Sequence, residues 1–105
     1  MLFPKPNHKR KTPKRSVRGS FNRQTRQLIF ERERGRCQCC SGRAEQIHHV
    51  MPKSSGVGRG VPTNGMAICQ TCHTKIHADK SMMTHWQNLF ESHYGADYYK
   101  DAWDI

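Results

Sequence analysis

Two cysteine pairs, Cys37/Cys40 in "CQCC" and Cys69/Cys72 in "CQTC", stand about thirty residues apart. C-x₂-C repeated at that separation is the spacing of a tetrahedral thiolate site, because each knuckle turns two sulfurs toward one point with little strain. The alternative is a set of reduced, buried thiols. The chain needs such a clamp. Its 105 residues are only 34% hydrophobic, too few to build a sizeable core. A structural Zn²⁺ on Cys37, Cys40, Cys69 and Cys72 is therefore expected to supply folding energy that packing lacks. The odd number of cysteines and the lack of a secretory signal argue against a disulfide scaffold. A reducing, cytoplasmic setting is expected. Cys39 fits neither pair; it reads as a bystander thiol or as part of an alternative ligand set.

Charge points to a polyanionic partner. The formal net charge is +10, and residues 1–36 hold 12 of the 18 Lys and Arg with only two acids, Glu31 and Glu33. Nucleic acid leads among the candidates, against a bland role in solubility. Residues 81–105 reverse the sign, with Glu91, Asp97, Asp101 and Asp104 against Lys100. No apolar run reaches the length of a membrane span.

Three regions are expected. Residues 1–20, with three prolines and seven basic side chains, read as a disordered or extended arm. Residues 21–95 form the domain, and 96–105 an acidic aromatic tail that packs on the body or on a partner. Within the domain, Ser20 is a candidate cap for a helix starting near Phe21, and Gly35 a candidate C′ residue. "QIHHV" reads as a first strand, "MPKSSGVGRGVPTNG" as a loop and "MAIC" as a second strand. "QTCHTKIHADK" and "SMMTHWQNLFESHYG" read as helices, the second with Met82, Trp86, Leu89, Phe90 and Tyr94 on one apolar stripe and stopped by Gly95.

Histidine makes a second cluster. His73 and His77 lie four apart, on one face of a helix, where two imidazoles can grip one metal. Four thiolates already fill the first site, so a second site is implied. His48 and His49 are neighbours on a strand, whose successive side chains point to opposite faces unless a twist aims both into one place. One of them can complete a site with His73 and His77 while the other stays free beside it. Structural or solvated rings are the bland alternative for His48, His73 and His77, and a supporting or packing ring for His49. His8, His85 and His93 lie outside the pattern and read as surface residues.

"IHHVMPKSSG" followed by "PTNGMAICQTCHTKIH" resembles the HNH nucleases, in the subgroup carrying two C-x-x-C knuckles. The resemblance covers residues from about 37 to 80, and the motif letters fall on His49, Asn64 and His73. It implies an α+β fold: a small ββα-metal finger at about 45–80, with the Cys₄ zinc site and flanking helices. It implies that His49 is the general base and that His48, His73 and His77 hold one catalytic divalent ion. Asn64 resembles the residue that braces the loop and orients the base; Asn64-Gly65 also reads as a simple hairpin turn. Many members have Asp where this chain has His48. An all-imidazole set suits Zn²⁺, Ni²⁺, Co²⁺ and Mn²⁺ better than Mg²⁺. The activity implied is metal-dependent cleavage or nicking of DNA, leaving 5′-phosphate and 3′-hydroxyl ends.

Lys53 and Arg59 in the loop, Lys75 on the metal helix, Arg23 and Arg26 on the first helix, and the arm around Lys9-Arg10-Lys11 are candidates for phosphate contacts. Such contacts carry little sequence information, so weak intrinsic specificity is expected. Selectivity would come from a partner, such as a phage packaging or restriction complex. Two other readings remain at this point. One is a non-catalytic zinc module that binds nucleic acid, which needs none of the four histidines. The other is a zinc-held adaptor that docks a protein through its tail.

Overall fold

The computed structural model describes residues 12–104. Helix α1 (Arg15–Gly19) leads into α2 (Arg23–Arg32), then strand β1 (Gln46–His49). A loop with two 3₁₀ turns, Lys53–Ser55 and Pro62–Asn64, connects to β2 (Gly65–Ile68). Helices α3 (Gln70–Ala78) and α4 (Lys80–Tyr94) follow. The fold is thus a small α+β unit around one antiparallel hairpin, with Gln46 opposite Ile68, Ile47 opposite Ala67, His48 opposite Met66 and His49 opposite Gly65.

A hairpin of four-residue strands is not stable alone. Here it is held between two small cores, one per face. On one side Ile47 and Ala67 pack with Ile29 of α2 and Ala44, and Phe21 and Phe30 close the cluster. On the other, Met66, Ile68 and Val50 pack with Cys72 and Ile76 of α3, Phe90 of α4 and Tyr98. Strand alternation sorts the residues: 47 and 49 share the α2 face, 46 and 48 the α3 face. Glycine at 65 lets α2 pack closely on the hairpin. A Cβ there would meet Ile29 Cδ1 at 2.3 Å.

Local signals explain the helix boundaries. Asn22, not Ser20, caps α2: its Oδ1 accepts from the Thr25 backbone N–H at 2.8 Å. Ser20 Oγ instead donates to the Ser16 carbonyl at the end of α1 (2.7 Å). Helix α2 ends in a Schellman motif, Gly35 N–H to Phe30 O (2.8 Å) and Arg34 N–H to Glu31 O (3.2 Å). Glycine therefore occupies C″, and Arg34 takes the left-handed C′ position that was expected of Gly35, at φ 56°. Asp79 divides α3 from α4, its Oδ1 accepting from the Ser81 backbone N–H at 2.9 Å. Gly95, at φ 94°, stops α4 where expected.

At the N-terminal end one expectation changes, and at the C-terminal end one of two alternatives is selected. The presumed arm is helical over residues 15–19 and docks on the loop, Gly60 N–H donating to Arg18 O at 2.7 Å. Local sequence gave no sign of this, since the docking is tertiary. Residues 1–11, with the Lys9-Arg10-Lys11 cluster and His8, lie outside the described residues. The C-terminal tail packs on the body. Tyr98 is buried, Tyr99 O accepts from Arg59 N–H (3.1 Å), and Asp101 and Asp104 pair with Arg18 and Arg59. Among the described residues no helix is long and apolar enough to cross a membrane.

Candidate metal centres and nuclease site

The four paired cysteines converge. Their sulfurs lie within 4.8 Å of one another, and Cys40 Sγ sits 3.8 Å from Cys69 Sγ. That spacing equals the edge of a tetrahedron with Zn–S near 2.3 Å, about 3.8 Å. The first knuckle is a tight turn, Ser41 N–H to Cys37 O at 2.8 Å, fastened to β2 by Gln38 N–H to Ala67 O at 3.0 Å. The second knuckle opens α3, with Cys69 as its N-cap. Burial pushes the Cys37 thiol up, yet backbone N–H groups around it pull it down to about 7. Burial and the neighbouring sulfurs push Cys72 the other way, well above an ordinary thiol. Four such groups cannot all ionise together without a cation among them, so the donor set fits a metal. Cys39 stays outside the set. It is half-buried beside Cys72 and Trp86.

The histidines separate by strand alternation. His48 turns to the α3 face, where its ring centroid lies 5.2 Å from that of His73 and 5.5 Å from that of His77. One nitrogen from each of the three lies within 4.8 Å of the others, and the His73 and His77 Nε2 atoms are 3.0 Å apart. A tetrahedral edge with metal–nitrogen bonds near 2.1 Å is about 3.4 Å. His48 is 1% exposed, and neither ring nitrogen has a hydrogen-bond partner. Leaving buried polar atoms unmatched is costly, and a bound cation removes the cost. Burial, then the nearby His73 and His77, push His48 down to about 3, so it carries a lone pair at neutral pH. Gln46 Oε1 accepts from His73 Nδ1–H, leaving His73 Nε2 as the donor toward the shared point. These residues fit a divalent ion.

His49 turns to the α2 face. Its Nε2–H donates to the Gly19 carbonyl at 2.5 Å, and its ring stacks on Phe21 with centroids 4.1 Å apart. That bond fixes the tautomer and leaves Nδ1 as the free base. Burial holds His49 below the usual histidine value against the opposing pull of Gly19; the Lys53 charge lowers it further. His48, His49, His73 and His77 nevertheless border one open cleft of about 240 Å³, with Lys53 and Ser54 at its rim.

Asn64 is fully buried and holds the loop, not the His49 ring. Its Oδ1 accepts from Met51 N–H (2.7 Å), and its Nδ2 donates to the Met51 and Arg59 carbonyls (3.1 and 3.0 Å). The Asn64 carbonyl accepts from Val50 N–H at 3.0 Å, so the residue fixes the chain just past β1.

The basic candidates divide. Lys53, Lys75, Arg23 and Arg26 are exposed. Arg59 is not available to a phosphate. It is 8% exposed, and its Nε and Nη2 donate to Asp104 at 2.9 Å each. The acidic tail supplies the counter-charge, which the loop sequence by itself did not disclose. Sequence reasoning also missed Gln46 and Gly19. Gln46 had a signal, lying two residues before His48 on the same strand face. A backbone carbonyl thirty positions from His49 has none.

A thiolate knuckle, a two-stranded hairpin and a helix carrying paired histidines define the class. Residues 37–79 match the family model for HNH endonucleases, and this segment carries an HNH domain. Among curated proteins, the chain is 32% identical over 63 residues to the Type IV methyl-directed restriction enzyme EcoKMcrA of Escherichia coli (strain K12). The match covers 50% of this chain and 22% of that protein.

Proposed function

We propose that this chain is a metal-dependent DNA endonuclease or nickase, acting through His49 and one divalent ion on His48, His73 and His77. The observation that carries the reading is the division of neighbouring histidines. His48 joins two imidazoles on one face of the hairpin, while His49 keeps Nδ1 free on the other, and both border the same cleft. A purely structural zinc module has no use for that arrangement.

A divalent ion on the three imidazoles would stabilise the charge that develops on the phosphoryl and leaving oxygens. His49 Nδ1 takes the proton of the attacking water. The Gly19 carbonyl holds the ring in the tautomer required and favours the imidazolium that results. Because burial keeps His49 below its usual value, the neutral base is the main form at pH 7. Lys53 and Lys75 meet phosphates flanking the scissile one, and Arg23 and Arg26 extend the footprint along α2. These contacts give weak intrinsic specificity. The likeness to a restriction enzyme favours duplex DNA as the substrate, with target choice coming from a partner in a restriction or phage packaging complex.

Supercoiled plasmid incubated with the protein and Mn²⁺, Ni²⁺ or Mg²⁺ tests the reading. Conversion to nicked or linear DNA is expected, strongest with the ions that favour imidazole. DNA binding without cleavage under every ion would leave a non-catalytic zinc module.

A further inference from the structure

The group that orients His49 belongs to an element that cannot hold itself. Gly19 is the last residue of α1, a helix of five residues. Helices that short are unstable without tertiary support. Its support comes from the opposite end of the chain. Arg18 donates through Nε and Nη2 to the two oxygens of Asp101 (3.0 and 2.8 Å), and through Nη2 to Asp104 at 2.7 Å. Asp104 also accepts from Nε and Nη2 of Arg59, so one carboxylate ties α1 to the loop that follows β1. The backbones meet there as well. A Cβ on Gly60 would lie 2.0 Å from the Ser20 carbonyl. The side chains involved are 10–18% exposed, which distinguishes this cluster from ordinary surface pairs.

We propose that Asp101 and Asp104 are positioning residues for cleavage, acting through Arg18 to hold the Gly19 carbonyl against His49 Nε2. This rests on the reading of His49 as the base. The clamp also occupies two arginines with internal carboxylates, so its effects on binding and on turnover have opposite signs. Releasing it frees Arg18 and Arg59 to attract phosphate while His49 loses its orientation.

The test uses the full chain with its metals and the variants Asp101→Asn, Asp104→Asn and the double, with Asp104→Glu as the conservative control. Single-turnover plasmid cleavage at saturating Mn²⁺ is expected to fall about tenfold or more in the double variant. Affinity for DNA stays equal or tightens, and the cysteine-bound metal is retained. Nitrogen-15 spectra of the His49 ring show one Nε2–H tautomer in the native chain and a mixture in the double variant. Asp104→Glu recovers a substantial part of both. If the double variant does not fold, each single variant carries the same readouts. An unchanged rate with an unchanged His49 spectrum overturns the clamp. A His49→Ala chain that cuts at the native rate overturns the base assignment instead, and the spectra still judge the clamp.

Discussion

Cys72→Ser, or a strong chelator that strips the ion the four cysteines would hold, is expected to unfold the domain rather than merely slow cleavage. The four sulfurs join the end of α2 to the start of α3 across the hairpin, and Cys37 and Cys72 are themselves part of the core beside Val50, Met66 and Ile68. Structural zinc contributes about 10–16 kcal/mol of apparent binding energy in small metal-folded domains. A whole domain retains only about 5–15 kcal/mol of net stability. Loss of the ion therefore consumes the margin. Circular dichroism and metal counting would show loss of cooperative melting together with loss of one tightly held ion per chain. A Cys72→Ser chain that melts cooperatively near the native temperature would mean that packing alone holds the fold.

His49→Ala is expected to lower the cleavage rate by about 10²–10⁴-fold, the range that general-base catalysis contributes. Folding should survive. His49 is half-buried at the cleft edge and contributes no ligand to either metal cluster, so its removal costs the Phe21 stack and the Gly19 hydrogen bond but no clamp. On the footprint proposed for Lys53, Lys75 and the α2 arginines, DNA affinity should change little. Rates from plasmid nicking at saturating metal, beside binding isotherms without metal, separate the two effects. A variant that cuts within threefold of the native chain would remove His49 from the chemistry.

Spacing along the chain carried much of the site. Cys37/Cys40 and Cys69/Cys72 sit on local turns, and His73/His77 on one helical face, so their geometry follows from neighbours in sequence. The divergence of His48 and His49 follows from the pleat of β1 and needs no tertiary knowledge. What escaped was non-local. Gly19 and Phe21 reach His49 only because α1 folds back on the loop, and a five-residue helix leaves almost no periodic trace. Arg59 looked like a phosphate contact because it stands in the glycine-rich loop between the two strands. Its partner, Asp104, lies 45 positions away. The shift of the α2 cap from Ser20 to Asn22 has a simpler cause. Both are good capping residues, and the close approach of Ser20 to Gly60 draws Ser20 into the α1–loop contact.

The proposed chemistry depends on the separation of the two neighbouring imidazoles. Crystals soaked in Mn²⁺ and measured at the manganese absorption edge locate the ion directly by anomalous scattering. A single peak about 2.0–2.3 Å from nitrogens of His48, His73 and His77 is expected. His49 Nδ1 should lie outside the coordination sphere and face the same cleft. A peak coordinated by His49, or no ion at the three imidazoles at saturating Mn²⁺, would contradict it.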